Sequence, residues 1–348
     1  MDDQLVRIDP RFAPEHATYY LSGLLQHTGA SELPFDLKGF PNRYTDNKPL
    51  AFTLRRGAVE RNFYIAADDM PELDEGALEW AHLYGKVNLV CNLVPPRYED
   101  RVVAIGPSHA LRLWNERDAL RMARRTSREG GRLVGRREHY RRFWLQARRR
   151  VDASHYEPGP SEDHYVFYNS WLWSKHAEAN PPRAEFMRAC RQLAPLVEFE
   201  GGFIARRRND VPGYDDVTAD RHYTLQEYLV NIKRSTVVFN NPAAHHCHGW
   251  KLAEFLRLGK AIVSLPLSRE MPAPFVHGEH FHLIDGSSEA IQEAVRTIVS
   301  NPDYRRSLEE AARAYYLKYL APKQVIQRLA ARAFGDDASK QVPVQQDG

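Results

Sequence analysis

The sequence predicts an α/β protein with two domains, each built on a mostly parallel sheet with helices on its faces. Three observations support this class. Short apolar runs alternate with helical patterns along the chain. An arginine-rich region interrupts the alternation, which restarts near residue 160. The chain has 348 residues, about twice the usual length of one domain.

The first predicted domain spans residues 1–155. Its helical patterns have apolar residues three and four positions apart and end in glycine, as helices often do. They are EHATYYLSGLLQHTG and DEGALEWAHLYG. The predicted strands are LVRI, LPFDL, LAFTL, NFYIAA, KVNLVCNLV and RVVAIG.

Residues 112–150 are dominated by arginine and form the predicted helical end of this domain. The segment EHYRRFWLQARRR places Tyr140, Phe143, Trp144 and Ala147 on one helical stripe. Two interpretations remain open at this point. The stripe packs on the domain's own sheet, or residues 137–150 lie on an anionic membrane surface.

The second predicted domain spans residues 160–334, and the tail, residues 335–348, is expected to be disordered. The predicted strands are HYVFYNSW, LVEFEGG, STVVFN, KAIVSLPL and HFHLID. The predicted helices are PRAEFMRACRQLA, TLQEYLVNIKR, GWKLAEFLRLG, SEAIQEAVRTIVS, PDYRRSLEEAARAYYLKYL and PKQVIQRLAARAF.

The composition and the cysteine content indicate the cellular compartment in which the protein is expected. Hydrophobic residues make up 43% of the chain and charged residues 27%, which is ordinary for a soluble globular protein. The three cysteines, Cys91, Cys190 and Cys247, are far apart and favour a reducing compartment over a disulfide scaffold. The chain shows neither a signal-peptide pattern nor an apolar run long enough to span a bilayer. We therefore expect a cytoplasmic location, with any membrane contact peripheral and on the inner face.

The residues that indicate a binding site lie in one stretch, NNPAAHHCHGWKLAEFLRLGKAIVS. It predicts a strand, a loop, a helix that opens at Gly249, and a second strand. The N-terminus of a helix after a parallel strand is a common binding site for anions. Lys251 and Glu254 lie one helical turn apart and face the same crevice. They can supply a cation for a diphosphate and a carboxylate for ribose hydroxyls.

The longer segment GWKLAEFLRLGKAIVSLPLSREMPAPFVHGEHFHLIDGSSEAIQEAVRTIVSNPDYRRSLEEAARAYY resembles the donor-binding half of GT-B glycosyltransferases. It is most similar to the nucleotide-sugar-dependent bacterial enzymes of families 1 and 4. The resemblance covers residues 160–330, and the N-terminal half only by architecture. It implies two Rossmann-like domains that face each other across a cleft, with the acceptor in the first and the donor in the second. It also implies a final helix that crosses back to the first domain.

The resemblance assigns roles to individual positions. Retaining members have two glutamates separated by seven residues, and Glu254 corresponds to the second, which is implied to hold the donor ribose. The first position is occupied by His246, which departs from the pattern and leaves the donor sugar and the stereochemistry open. The implied donor-binding residues are His245, His246, His248, Gly249, Trp250, Lys251, Glu254, Lys175 and Arg183, with Arg206 and Arg207 as weaker alternatives.

Zinc binding by the HHCH cluster is the alternative interpretation. Adjacent residues on one loop rarely all reach one ion, and no second ligand pair is present in the sequence. We therefore predict no metal site and a metal-independent transfer, in which fixed cations and a helix N-terminus stabilise the leaving diphosphate.

The first half offers two candidates for a catalytic base, Asp69 and His82, and no spacing singles out either. The pair Asp68-Asp69 also resembles the metal-binding carboxylates of the other large glycosyltransferase fold. A helix-cap or acceptor-side role is favoured for this pair.

The predicted function is transfer of a sugar from a UDP- or GDP-type donor to a saccharide or lipid-linked saccharide acceptor, in bacterial surface polysaccharide or glycoconjugate synthesis. No bound cofactor is expected. One alternative is a sugar-nucleotide epimerase or phosphorylase on the same fold. Another is a non-catalytic basic adaptor that binds membrane or nucleic acid through residues 112–150. We expect no nucleic-acid partner, because the aromatic pattern of nucleic-acid-binding modules is absent from the sequence.

Overall fold

The structure, a computed structural model, describes residues 5–42, 49–205 and 211–336. Arg206 and Arg207, the weaker donor-site candidates, lie outside these ranges. Residues 337–348 of the predicted tail also lie outside the described residues.

The N-terminal half contains a five-stranded sheet with the order β1-β2-β3-β4-β5. The strands are β1 (Leu5–Ile8), β2 (Pro49–Arg56), β3 (Val59–Ala66), β4 (Leu83–Lys86) and β5 (Val102–Ala104). The β1-β2 and β2-β3 pairs are antiparallel, whereas β3-β4 and β4-β5 are parallel. The sheet is thus mixed rather than mostly parallel. Only Gly57 (φ 58°) and Ala58 join β2 to β3, and so short a connection permits only an antiparallel hairpin.

Three predicted elements of this half differ in the structure. The predicted strand LPFDL is reduced to one bridge between Phe35 and Ile8. Helix α2 (Glu75–Trp80) ends before His82, and the following residues form β4 instead of the last helical turn. The predicted strand KVNLVCNLV consequently contributes only Lys86 to the ladder. Gly85 explains part of this change, because a Cβ there would lie 3.0 Å from the Ile105 side chain, and its absence lets the strand pack closely.

The arginine-rich region forms two antiparallel helices joined at Gly135. They are α3 (Glu116–Val134) and α4 (Arg136–Arg149). Phe143 and Ala147 of the predicted stripe are buried, and the Phe143 ring lies 6.0 Å from that of Phe12. The structure therefore confirms internal packing for the buried part of the stripe, while Trp144 remains exposed.

The C-terminal half contains only parallel pairings among its described strands. The strands are β6 (Tyr165–Trp171), β7 (Glu198–Ile204), β8 (Val238–Asn240), β9 (Ile262–Ser264) and β10 (His282–Leu283). The backbone N–H of Thr236 donates to the Tyr165 carbonyl at 2.7 Å, which sets β8 beside β6. The ladders themselves form two sheets, β7-β6 and β8-β9-β10. Placed side by side they give the order β7-β6-β8-β9-β10, which is that of a doubly wound sheet with its topological switch point between β6 and β8.

The helices of this half form where the sequence predicts them. They are α5 (Asn180–Gln192), α6 (Leu225–Arg234), α7 (Trp250–Leu258), α8 (Ser288–Ser300), α9 (Pro302–Tyr315) and α10 (Pro322–Phe334). A capping box formed by Thr224 and Glu227 begins α6, and Ser287 and Asn301 cap α8 and α9. The α/β class is confirmed in both halves.

The last helix crosses back to the N-terminal half. Helix α1 (Pro14–Thr28) meets the start of α10, and Gly23 allows a close approach, because a Cβ there would lie 2.3 Å from the Pro322 carbonyl oxygen. The Tyr19 hydroxyl donates to the Leu320 carbonyl at 2.7 Å. One apolar core continues through both halves, so the boundaries 1–155 and 160–334 stay predictions. No helix of the described residues is long and apolar enough to cross a membrane.

Candidate functional site

A cavity of about 470 Å³ opens at the carboxyl ends of β6 and β8. This is the switch point of the C-terminal sheet, where helices depart in opposite directions and leave a crevice for ligands. Its lining includes Asp69, Asn169, Ser170, Trp171, Trp173, Arg183, Ile204, Tyr223, Thr224, Leu225, Tyr228, Phe239, Asn240, Asn241, Ala243, Ala244, Cys247, His248, Gly249, Trp250, Lys251 and Glu254.

Arg183 lies in the first turns of α5 and is buried. Its Nε donates to Asn241 Oδ1 at 3.0 Å, and its guanidinium carbon lies 4.5 Å from the centre of the Trp173 ring. These contacts hold the guanidinium at the cavity wall. A fixed guanidinium is well suited to bind phosphate oxygens.

Lys251 supplies a second cation from the first turn of α7. Its Nζ donates to the Asn169 carbonyl at 2.5 Å and lies 4.1 Å from the centre of the Tyr168 ring. Burial and the nearby charge of Arg183 lower the pKa of Lys251 to about 7. An anion in the cavity would favour the charged form of this side chain.

The N-terminus of α7 also faces the cavity. Gly249 is the N-cap residue and provides no side-chain acceptor for the first helical N–H groups. Such groups have no partner inside a helix and carry partial positive charge. Together with Arg183 and Lys251, they make the crevice electropositive.

Glu254 lies three residues after Lys251 and is only 8% exposed. It accepts hydrogen bonds from Tyr156 (3.4 Å) and Tyr228 (3.2 Å). Burial raises the pKa of Glu254, whereas the charges of Lys251 and Arg150 act in the opposite direction. A carboxylate has about four acceptor positions, so the two tyrosines leave capacity for ligand hydroxyls.

The histidines of the loop separate into two groups. His248 lines the cavity. Its backbone N–H donates to Asn88 Oδ1 at 2.7 Å, and its ring Nε2 lies 3.4 Å from the Glu270 carbonyl oxygen. Burial lowers the pKa of His248 to about 4, so the ring is neutral near pH 7. His245 and His246 are exposed, have positive φ angles of 54° and 59°, and lie outside the cavity lining.

The zinc alternative for this loop requires several ligands around one point. No group of three or more His, Cys, Asp or Glu side chains with that geometry occurs in the part of the chain that the structure describes. His245 instead packs on the ring of His176, with the ring centres 4.5 Å apart.

The two base candidates lie at opposite ends of the parallel strands β3 and β4. Asp69 follows the carboxyl end of β3 and lines the cavity. His82 precedes the amino end of β4, where its Nδ1 accepts the backbone N–H of Asn62 at 3.1 Å. Asp68 is paired with the buried Lys86 at 2.7 Å and accepts the Met70 N–H at 2.8 Å. The predicted helix-cap role of the pair is wrong, because the residue that caps the next helix, α2, is Asp74.

Of the predicted donor residues, Arg183, His248, Gly249, Trp250, Lys251 and Glu254 are brought together, whereas His245, His246 and the exposed Lys175 are not. Three contributors were missed: Tyr156, Tyr228 and Arg150, whose guanidinium lies 4.7 Å from the Trp250 ring. All three come from outside the strand-loop-helix motif, and nothing in the local pattern marks them.

No family model and no curated protein matches this sequence. Similar solved structures include a glycosyltransferase from Rickettsia africae, with 9% identity and a TM-score of 0.43 over 77% of this chain and 69% of that chain. Anabaena HepE in complex with UDP and glucose has 14% identity and a TM-score of 0.38, over 74% of this chain and 78% of that one. The C-terminal domain of a Francisella tularensis group 1 glycosyl transferase (LpcC) has 14% identity and a TM-score of 0.36, over 48% and 97%.

Proposed function

We propose that this protein is a glycosyltransferase that binds a nucleotide-diphosphate sugar in the cavity at the switch point. One observation carries the proposal. Arg183, Lys251 and the N-terminus of α7 meet at one crevice, with the buried carboxylate of Glu254 one turn further along the same helix. Positive charge for a diphosphate beside an acceptor for ribose hydroxyls is the combination that a sugar nucleotide requires.

The same cations serve the reaction. Transfer breaks the bond between the anomeric carbon and the diphosphate oxygen, and negative charge develops on the leaving group. Arg183, Lys251 and the helix N-terminus are fixed before the reaction and stabilise that charge as it forms. Activity is therefore expected to persist in excess EDTA, and elemental analysis that finds a stoichiometric metal on which activity depends would contradict this part of the proposal.

Asp69 is proposed as the acceptor-side acid–base group. Among the described residues of the N-terminal half, it alone lines the cavity, so it faces the donor site from the side assigned to the acceptor. A carboxylate that takes the proton of the attacking hydroxyl contributes about 100- to 10,000-fold to the rate. Asp69→Asn should therefore lower kcat by at least about 100-fold with little change in donor Kd, whereas Asp303→Asn, at an exposed carboxylate of α9, should leave both unchanged.

The donor is proposed to be of the UDP or GDP type, and the acceptor a saccharide or a lipid-linked saccharide of bacterial surface polysaccharide or glycoconjugate synthesis in the cytoplasm. The exposed positions of His245 and His246 favour a role at the rim, toward the sugar or the acceptor.

The deciding experiment is a transfer assay with UDP- and GDP-sugars, with and without a mixture of saccharide and lipid-linked acceptors. We expect donor consumption that depends on an acceptor and is lost in Arg183→Met and Lys251→Met. Donor conversion to an isomeric sugar nucleotide without any acceptor would instead identify an epimerase. Release of a sugar phosphate with inorganic phosphate as the only co-substrate would identify a phosphorylase.

A further inference from the structure

The hairpin of α3 and α4, residues 116–149, concentrates positive charge. It contains twelve arginines and four acidic residues, a net charge of +8, whereas the whole chain has a formal charge of +3. The rest of the chain is therefore net acidic. The field of an anionic partner would orient a molecule with this charge distribution so that the hairpin faces the partner.

Several of these charges are not neutralised within the protein. Arg121 and Arg141 pair with Asp118 and Glu138 on their own helices. Across the described ranges, no ion pair involves the exposed side chains of Arg117, Arg124, Arg136, Arg137 and Arg149. These five guanidinium groups are available to an external anion.

The inner face of the hairpin is fixed by packing. A Cβ on Gly130 would lie 2.5 Å from the ring of His139, so this glycine lets the two helices approach closely. His139 Nε2 lies 3.0 Å from Thr126 Oγ1, and Phe143 is fully buried. The outer face is therefore held toward solvent by the same packing.

The outer face mixes arginine with large apolar side chains. On α4, Arg137, Arg141, Trp144 and Arg148 are spaced by four, three and four residues and share one helical face. Trp144 is 37% exposed.

Helix α3 repeats the mixture, and the two helices are linked near their base. Leu120, which is 43% exposed, lies between Arg117 and Arg124 at spacings of three and four. Arg148 of α4 pairs with Glu116 of α3 at 2.9 Å. At the tip of the hairpin, Leu133 is 59% exposed.

We infer that the outer face of the hairpin, residues 116–149, is a docking surface for an anionic membrane. Guanidinium groups bind lipid phosphates, and exposed tryptophan and leucine side chains enter the boundary between headgroups and acyl chains. Both kinds of residue are needed for such binding, and both are present on one surface. Nucleic acid would use the charge but not the exposed leucines.

The docking surface adjoins the candidate site. Arg150 directly follows α4, and its guanidinium lies over the ring of Trp250, which lines the cavity. A membrane bound to the hairpin would therefore lie on the side of the molecule where α4 ends next to the cavity. The inference stands on the hairpin alone and does not depend on the proposed sugar transfer.

The test is flotation of the full chain with vesicles, without any sugar nucleotide. Vesicles of phosphatidylcholine with phosphatidylglycerol are compared with vesicles of phosphatidylcholine alone. We expect salt-sensitive binding to the anionic vesicles only. Each basic residue near an anionic surface contributes about 1 kcal/mol, roughly fivefold in affinity, so the triple variant Arg117→Glu, Arg124→Glu, Arg137→Glu should bind about 100-fold more weakly or worse.

A matched triple variant controls for net charge. Arg55→Glu, Arg296→Glu and Arg306→Glu change exposed arginines elsewhere by the same total charge and should retain binding. A second measurement addresses the apolar residues: brominated phosphatidylcholine, mixed with phosphatidylglycerol, should quench part of the tryptophan emission of the protein, and Trp144→Phe should abolish that part.

Three results would overturn the inference. In the first, the control triple loses binding as strongly as the hairpin triple. In the second, Trp144 is not quenched in the bound protein. In the third, a double-stranded RNA binds the parent protein but not the hairpin triple at salt concentrations where the vesicles do not bind. Circular dichroism of both triple variants confirms that they are folded.

Discussion

At the scale of single residues, Lys251 and Glu254 show how neighbours on one helix obtain different chemistry from different surroundings. Lys251 is held by the Asn169 carbonyl at the end of β6, while Glu254 is held by the hydroxyls of Tyr156 and Tyr228. The spacing of three residues predicted that both would face the same crevice. Their partners were not predictable, because they come from segments up to 98 residues away.

Glu254→Gln tests the carboxylate. Glutamine keeps the shape but cannot accept as many hydroxyl hydrogen bonds, so donor binding should weaken by about 1 to 3 kcal/mol in calorimetry. The variant should not be less thermostable than the parent, because it removes a buried charge. Glu289→Gln, at an exposed position of α8, is the matched control. Equal donor affinity in parent and Glu254→Gln would exclude the ribose contact.

Lys251 should couple donor binding to proton uptake. Its pKa of about 7 leaves it mostly neutral at pH 8, and a bound diphosphate favours the charged form. At pH 8 the binding enthalpy should therefore depend on the ionisation enthalpy of the buffer, with up to one proton taken up, and this dependence should vanish in Lys251→Arg. Identical enthalpies in phosphate and Tris for the parent protein would refute the coupling.

The same shift has a consequence for stability. The pKa of this lysine is lower in the folded than in the unfolded chain, so the unfolded state binds more protons above about pH 7. Its contribution to stability therefore rises as the pH rises from about 7 toward the ordinary lysine value. Lys251→Met should flatten that rise in thermal unfolding of the free protein, and an unchanged slope would argue against a buried, depressed lysine.

At the scale of elements, the start of α7 is the most informative feature. Gly249 has a φ of −78°, and a Cβ there would contact only Ala243, at 3.6 Å, so the backbone does not require glycine. The missing side chain instead leaves the helical N–H groups to a ligand.

Gly249→Ser tests this role. Serine caps the helix with its own oxygen, so stability should rise by a few tenths of a kcal/mol, while donor binding should weaken several-fold through competition for the same N–H groups. Gly249→Ala adds the Cβ without the acceptor and should bind the donor nearly as well as the parent. Equal affinities for the serine and alanine variants would show that the ligand does not use these groups.

Elements of the C-terminal half were predictable from the sequence because their signals are local. Thr224, Ser287 and Asn301 each cap a helix at the position the pattern indicates. In the N-terminal half, β4 was hidden inside a helical pattern. Leu83 and Tyr84 suit either structure locally, and the ladders with β3 and β5, which are remote in sequence, select the strand.

At the scale of the whole molecule, two separate sets of contacts join the two halves. Asn88, after β4, accepts the backbone N–H of His248, and α10 packs on α1. Sequence alone predicted the crossing of α10 only through the family resemblance, because no local pattern specifies which half a helix covers.

Gly23→Ala tests the crossing. The new Cβ would lie 2.3 Å from the Pro322 carbonyl oxygen, so α1 and α10 must separate, and overpacking of this kind costs about 1 to 3 kcal/mol. Gly76→Ala, at an exposed helical glycine of α2, makes the same chemical change and should be neutral or stabilising. Equal melting temperatures for both variants would indicate that the helices do not meet as described.

The most direct measurement of the central claim is calorimetric titration of the intact protein, in EDTA, with a panel of UDP- and GDP-sugars. The account predicts that at least one sugar nucleotide binds, and that Arg183→Met and Lys251→Met each weaken that binding by about tenfold or more, because each removes a charge-assisted contact to the diphosphate. No binding by any donor, or the same affinity in the parent and both variants, would contradict it.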